Sequence, residues 1–386
     1  MANMSSDDAP ALCASVTVTR AGQDLTVIWQ DGHQSRFDAI WLFDNAPENR
    51  DASTGQRLID AMELPEKLAI LAAYIGAEGA IPVIFTTKDD AREVKAYAAD
   101  WLRAHCYCEN ERSQRFDRPV LWSAPDPDTF CWMDAEDFST SPAGRCLWLS
   151  SVATQGIGFL RNAPVRQGTV LELARLVGFV RETNYGRMFD VRPQPAPNNL
   201  AYSDRGLGLH TDNPYRNPVP GLQMLHCLKN SAPGGDSIFA DGFAAAGSLR
   251  EEDPSSFKIL TSTPVRFEFH DRNTALVAER PMIELNYYGE IEGVRWNDRA
   301  MAPLRLQERS TARFYKAYRA FAERLNSPRF KIDLRLNSGD VVLFDNTRIL
   351  HGRGGFDGAK QARHLQGCYI DRDGMLSTIA VLSRTI

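Results

Sequence analysis

The segment His210-Thr211-Asp212, together with the distant His351 and Arg363, constrains this chain more than any other feature. Side chains two apart on a strand share a face, so His210 and Asp212 are expected to project together. A second His returning on a far strand completes a set of two imidazoles and one carboxylate. Such a set takes three positions on one side of a metal and leaves the others open, which suits non-haem Fe(II) activating oxygen. It needs a fold whose strands meet across long stretches of chain.

The surroundings of these residues support that reading. Gly206-Leu207-Gly208-Leu209 leads into His210 and lets backbone approach a ligand closely. His351 follows Phe344-Asp345-Asn346-Thr347-Arg348-Ile349-Leu350 and precedes Gly352-Arg353-Gly354-Gly355, so it is expected where a buried strand runs out into a loop. Arg363 lies on the alternating segment 363–369, which one hairpin would set beside the His351 strand. A guanidinium there grips a carboxylate with two prongs, as Lys cannot. A carboxylate-bearing cosubstrate that also chelates iron fits this placement, namely 2-oxoglutarate.

With 386 residues, 43% of them hydrophobic, the chain can bury a large core, and one large plus one small domain is expected. The net charge of -5 and the absence of a basic run argue against nucleic acid and membrane surfaces as partners. No apolar run approaches the roughly 20 residues of a membrane span. The opening MANMSSDDAP has neither the cationic start nor the apolar segment of a signal peptide, so a cytoplasmic location is expected.

Seven cysteines, odd in number and scattered, read as reduced thiols. His105-Cys106-Tyr107-Cys108 lacks a second ligand pair at zinc-site spacing, so no metal is expected there.

Along the chain, Val16 and Val18, then Leu25, Val27 and Trp29, alternate as strands around a turn at Asp31-Gly32. Val83 and Phe85 begin a similar unit. Trp41-Leu42 and Trp101-Leu102 end the two units and suggest an internal duplication. The expected organisation is a small β-rich domain over 1–106, a linker over 107–128 and a larger domain over 129–386. Thr169-Val170-Leu171-Glu172 reads as a capping box opening a helix from Leu171 to Val180. Phe314, Tyr318, Phe321 and Leu325 mark a buried helix face. Val341 to Phe344, after the turn at Ser338-Gly339-Asp340, reads as a strand buried on both faces.

The segments Leu207 to Pro214, Pro220 to Cys227 and Gly234-Gly235-Asp236-Ser237 resemble the Fe(II)/2-oxoglutarate dioxygenases of the γ-butyrobetaine hydroxylase group, and the likeness covers most of the chain. The resemblance implies a mainly β fold with flanking helices, built on a double-stranded β-helix, or jelly roll. It implies His210, Asp212 and His351 as iron ligands, Arg363 as the anchor of 2-oxoglutarate with Ser237 assisting, O2 as second cosubstrate, and a homodimer. The reaction would release succinate and CO2 while hydroxylating an unactivated C–H bond.

Members of this group hold a trimethylammonium head in an aromatic cage by cation–π attraction. The family's cage positions match Tyr185, Phe189, Tyr202 and Tyr369, with Asp190 adding a negative charge. The anionic end of the substrate matches Asn199 and Asn297, with Asn286 and Arg299 as further donors. Where the group's structural zinc ligands should fall, this chain has Ala46, Glu48, Asp51 and Ala91, so no structural zinc is expected. That departure suggests a divergent member. The favoured substrate is 2-(trimethylammonio)ethylphosphonate, hydroxylated at the carbon beside phosphorus, because a phosphonate profits from Arg299 more than a carboxylate does. The alternatives are γ-butyrobetaine or trimethyllysine hydroxylation, a catalytically inactive barrel that binds quaternary ammonium, and a cupin-like isomerase.

Overall fold

The computed structural model describes residues 12–87, 91–109, 111, 119–192, 205–231, 233–306, 310–355 and 363–385. The chain divides into two compact units, Met1–Asp117 and Arg118–Ile386.

The first unit repeats one pattern. Strands β1 (Cys13–Thr19), β2 (Asp24–Trp29) and β3 (Gln34–Asp38) form an antiparallel sheet in chain order, and helix α1 (Ala39–Asp44) follows. Strands β4 (Leu68–Ala73), β5 (Ala80–Thr87) and β6 (Arg92–Ala98), with helix α2 (Ala99–Ala104), repeat that order. The alternation read in the sequence is the reason: Leu25, Val27 and Trp29 bury one face of β2, and Ile81, Val83 and Phe85 one face of β5. Each helix carries its Trp-Leu pair into the same core. Leu42 and Leu102 are fully buried, a burial that stabilises by about 2 kcal/mol each, and the Trp41 and Trp101 rings lie 5.7 Å apart.

Ala46 packs into this core, Glu48 pairs with Lys95 at 3.4 Å, and the Asp51 carboxylate caps its own turn through Ser53 and Thr54. The boundary between the two units falls within the segment expected as a linker, 107–128. The Tyr107 hydroxyl accepts from the Asp38 backbone N–H at 2.7 Å, which ties it into the first unit. At the other end the Trp122 N–H donates to Asp241 at 3.1 Å, inside the second unit.

The second unit is a double-stranded β-helix. Its defining strands are β10 (Phe189–Val191), β11 (Leu207–His210), β12 (Leu222–Asn230), β13 (Ser237–Asp241), β18 (Lys331–Leu334), β19 (Val341–Asp345), β20 (Ile349–Arg353) and β21 (Arg363–Ile370). Successive strands of the motif alternate between two sheets, except that β13 and β18 pair within one of them. One sheet has the order β10-β21-β12-β19 and the other β11-β20-β13-β18. The larger sheet continues past β19 through β8 (Ile157–Arg161) to β7 (Trp132–Asp134), and β9 (Val180–Arg181) pairs β21.

Between the sheets lies a core of Leu225, Phe239, Ile332, Val342, Phe344 and Ile349. The other face of the larger sheet is covered by helices α3 (Ala135–Thr140), α4 (Pro142–Gln155), α5 (Thr169–Val177) and α9 (Arg372–Leu382). Strand β19 is therefore buried along its whole length, as its uninterrupted apolar run requires.

An insertion between β13 and β18 carries helices α6 (Gly242–Glu252) and α7 (Pro254–Ser262), hairpins β14 (Val265–His270) with β15 (Ala275–Arg280) and β16 (Ile283–Leu285) with β17 (Ile291–Val294), and helix α8 (Thr311–Leu325). Phe314, Phe321 and Leu325 form the buried face of α8.

Helix α5 departs from its expected form. Gly168 precedes it in the left-handed region, the Thr169 hydroxyl donates to the Pro164 carbonyl, and Glu172 pairs with Arg166. No capping box forms, and the helix stops at Val177 before Gly178.

A buried ion pair anchors the turn from β19 to β20. Arg348 donates to both Asp241 carboxylate oxygens at 3.1 and 2.8 Å and to the carbonyls of Thr154 and Val120. Asp241 also accepts the Phe243 and Ala244 N–H groups that open α6. Both Asp241 oxygens and all three Arg348 nitrogens thus have hydrogen-bond partners, the condition under which a buried pair is tolerated.

Candidate active site

Strand pairing brings the candidate ligands together. His210 on β11 and His351 on β20 are direct cross-strand partners, and their rings lie 4.2 Å apart. Asp212 Oδ1 is 3.4 Å from His210 Nε2 and Asp212 Oδ2 is 3.8 Å from His351 Nε2. One ligand atom from each residue lies within 4.8 Å of the others.

The local reason differs from strand alternation. β11 ends at His210, so Asp212 sits on the turn beyond it. Asn346 holds that turn, accepting the Asp212 N–H at 2.7 Å and donating to the Asp212 and Pro220 carbonyls. His351 likewise stands in the middle of β20, not where the strand runs out. Nor do β20 and β21 form a hairpin. They belong to facing sheets, because the chain crosses the barrel between them, and Arg363 reaches the site from the opposite wall.

The trio is prepared for a divalent cation. His210 Nδ1 lies 2.9 Å from the Gly208 carbonyl, which places its proton there and leaves the Nε2 lone pair for a metal. Burial, with the neighbouring His210 and Arg299, pushes the His351 imidazole down to about 3, so it is neutral. Burial works against ionising Asp212, but hydrogen bonds from the His210 ring and the Tyr369 hydroxyl help hold the carboxyl well below the usual range. The Tyr369 hydroxyl donates to Asp212 Oδ2 at 2.8 Å. Two imidazoles and one carboxylate are the donor set that non-haem Fe(II) takes.

The trio opens on a cavity of about 450 Å³, a size suited to a small molecule. Arg363, Leu365 and Tyr369 line it from alternate positions of β21, and Ser237 and Phe239 from β13. Gly367, on that same face of β21, leaves room for the Phe189 ring, which a Cβ there would meet at 2.7 Å. Arg353 lines the cavity with Arg363. Arg363 Nε is buried without a hydrogen-bond partner among the described residues, and burial followed by the Arg353 charge pushes its guanidinium down to about 10. Two arginines facing one enclosed space call for an anion, and a distal carboxylate meets that demand.

A chain of aromatic rings lines another part of the cavity. Phe189 lies 5.1 Å from Tyr369, Tyr185 lies 6.4 Å from Phe189 and 6.0 Å from Phe269, and Tyr215 stacks on Phe269 at 5.2 Å. The Tyr185 and Tyr215 hydroxyls are 3.3 Å apart. Arg295 shapes the loop that carries Tyr215 by donating to the Pro214 and Arg216 carbonyls. Asn297 and Arg299 line the cavity as well, Arg299 with part of its side chain open to solvent. Asn297 donates its amide to the Thr211 carbonyl at 3.2 Å.

Two expected site residues lie elsewhere. Asp190 occupies the opposite face of β10 from Phe189 and Val191, where His364 at 2.7 Å and Gln366 at 3.0 Å hold its carboxylate. Strand alternation aims it away from the cage. Asn286 closes the β16–β17 turn, accepting the Tyr288 and Glu290 N–H groups. Asn199 and Tyr202 lie outside the described residues. Tyr215, Phe269 and Arg353 were not foreseen. Tyr215 had a signal in its place three residues after Asp212, and Arg353 in its place two residues after His351. Phe269 had none, since the hairpin that carries it is remote in sequence.

Fold and site together define an Fe(II)- and 2-oxoglutarate-dependent dioxygenase, with O2 as its second cosubstrate. The chain belongs to the family described as "Taurine catabolism dioxygenase TauD, TfdA family", whose model matches residues 136–369. It is 35% identical to a γ-butyrobetaine dioxygenase of Pseudomonas sp. (strain AK-1), over 97% of this chain and 98% of that one. It is 30% identical to the γ-butyrobetaine dioxygenase of Homo sapiens, over 94% of this chain and 95% of the relative. A mitochondrial trimethyllysine dioxygenase of Rattus norvegicus is also 30% identical, over 90% of this chain and 83% of its own length. No helix among the described residues is long and apolar enough to cross a membrane.

Proposed function

We propose that this enzyme hydroxylates a short trimethylammonium zwitterion, and that the anionic end of that substrate is a phosphonate, as in 2-(trimethylammonio)ethylphosphonate. The observation that carries the reading is the shared cavity of the ring chain Tyr185, Phe189, Tyr215, Phe269 and Tyr369 with the cation Arg299. The rings offer a desolvated cation–π surface to the ammonium head, worth about 0.5–2 kcal/mol per contact. Arg299 and Asn297 supply donors for the anion, and a group of three oxygens with up to two charges uses an arginine more fully than a carboxylate does.

His210, Asp212 and His351 would hold iron, which when bound supplies the oxidising power that couples 2-oxoglutarate decarboxylation to hydroxylation of an unactivated C–H bond. The protein's part is positioning. Arg363, with Arg353 and Ser237 beside it, fixes the distal carboxylate of 2-oxoglutarate. Tyr369 keeps the Asp212 carboxylate in one orientation. The aromatic wall excludes water from the ammonium head, and the anion donors set which carbon faces the metal. That carbon is the one beside phosphorus.

The names of the relatives support trimethylammonium substrates and also a second reading, in which γ-butyrobetaine is hydroxylated and Asn297 meets a carboxylate. A panel of trimethylammonium carboxylates and phosphonates, read by succinate release and product mass, decides between them. Higher kcat/KM on the phosphonate is the expected outcome. Better hydroxylation of γ-butyrobetaine would overturn the choice of anion, and succinate release with no member of the panel would overturn the substrate class.

A further inference from the structure

We infer that the first unit carries a metal site of its own, formed by His33, Cys106 and Cys108 and suited to zinc. It uses none of the positions 46, 48, 51 and 91 on which the expectation of no zinc rested. It also uses only the two thiols of His105-Cys106-Tyr107-Cys108, since His105 bonds the Trp101 carbonyl at 2.7 Å and stacks on the Trp101 ring.

The geometry is that of a ligand set before its ion. His33 Nε2 lies 3.4 Å from Cys106 Sγ and 3.8 Å from Cys108 Sγ, and all three atoms fall within 4.8 Å of one another. Tetrahedral zinc with bonds of about 2.3 Å to sulfur and 2.0–2.1 Å to nitrogen separates such ligands by roughly 3.6 Å. A hydrogen-bonded cluster explains the arrangement less well. One Nε2 has a single lone pair or a single proton and cannot serve two thiols in line at once. A divalent ion satisfies all three atoms, and two thiolates neutralise its charge.

The other side of the ring supports the same assignment. Glu111 Oε1 faces His33 Nδ1 at 3.9 Å and is itself fixed by Arg103 Nη1 at 2.6 Å. A carboxylate facing Nδ1 favours a proton on that nitrogen and frees Nε2 for a metal, the usual partnership behind a metal-bound imidazole. Cys106 is fully buried, and the His33 side chain is 16% exposed. Two thiolates and an imidazole select zinc over iron, calcium or magnesium. Among the described residues no fourth His, Cys, Asp or Glu joins the set.

His33 follows the turn between β2 and β3, and the cysteines follow α2, 73 and 75 residues further on. A metal there closes a long loop and clips the first half of the repeated unit to the end of the second. The free energy of binding then adds to the stability of the folded unit.

The test uses the full-length chain. Zinc analysis after gel filtration is expected to find a full equivalent retained. Cobalt(II) in its place is expected to give a thiolate-to-cobalt charge-transfer band, which the nitrogen and oxygen donors of His210, Asp212 and His351 cannot produce. Zinc is expected to protect Cys106 and Cys108 from alkylation, mapped by peptide mass, and to leave Cys13 and Cys131 unprotected. The C106S/C108S variant should lose the band, the H210A variant should keep the band and an equivalent of zinc, and C106S/C108S carrying H210A as well should retain no zinc. Absence of the thiolate band in the unaltered chain, alkylation of Cys106 and Cys108 indifferent to zinc, or a full equivalent of zinc retained by the C106S/C108S/H210A variant would each overturn the site. The first two readouts need no variant, so they test the site even when the double variant does not fold.

Discussion

The Tyr369 hydroxyl donates to Oδ2 of Asp212 at 2.8 Å, so one residue both walls the aromatic cavity and orients the carboxylate of the candidate metal trio. Tyr369→Phe keeps the ring and removes only the hydrogen bond. Loss of such a partner to a metal ligand typically costs ten- to a hundredfold in metal affinity or activity. The variant is expected to need correspondingly more Fe(II) for half-maximal turnover while its KM for substrate changes little. Equal shifts in both would show that the hydroxyl serves the substrate.

Phe269 closes the ring chain between Tyr185 and Tyr215. Phe269→Ala removes one cation–π partner, worth about 0.5–2 kcal/mol, and should raise KM for the trimethylammonium substrate by about two- to thirtyfold. KM for 2-oxoglutarate should stay the same, since Arg363 and Arg353 lie on other strands. Steady-state kinetics with each substrate varied separately checks this, and an unchanged KM for the ammonium substrate refutes the cage.

Arg348 and Asp241 form a pair whose side chains are 2% and 0% exposed. Arg348→Met leaves the Asp241 charge buried and uncompensated, a change that costs about 3–5 kcal/mol. Equilibrium unfolding in urea should register that loss. The Arg348→Met/Asp241→Leu double variant should recover much of it, because no unpaired charge remains; a double variant no more stable than the single one would argue against this account.

His226 on β12 is fully buried, and neither ring nitrogen has a hydrogen-bond partner among the described residues. Burial pushes its imidazole down from 6.5 to about 4. The unfolded chain takes up a proton as pH falls through 6.5, whereas the folded chain refuses it until about 4. Stability should therefore fall across that window by on the order of 3 kcal/mol and change no further from this group below it. His226→Leu should flatten that part of the stability–pH curve measured by denaturant titration. An identical slope in the variant would assign the acid sensitivity to other groups.

Much of the site was legible because its signals are local in sequence. The His210-x-Asp212 pair, the imidazole of His351 at the end of a buried apolar run and the guanidinium on the alternating segment 363–369 could be read as chemistry before any fold was known. The periodic apolar residues of β2, β5 and α8 and the repeated Trp-Leu pairs set the local elements in the same way. Asp190 shows where such reading stops: it neighbours Phe189 in sequence, yet strand alternation turns the two to opposite faces.

The amino-acid order alone determined which donors this protein owns and which short segments extend or coil, because side-chain type and period act over a few residues. Only tertiary structure decided that His210 stands opposite His351, that Arg363 arrives from the facing sheet, and that Tyr215 and Phe269 complete a wall with Tyr369. Those relations come from pairing strands far apart in the chain and from packing two sheets around one core. The same long-range closure, bringing His33 to Cys106 and Cys108, assembles a second set of donors that no single stretch of the chain contains.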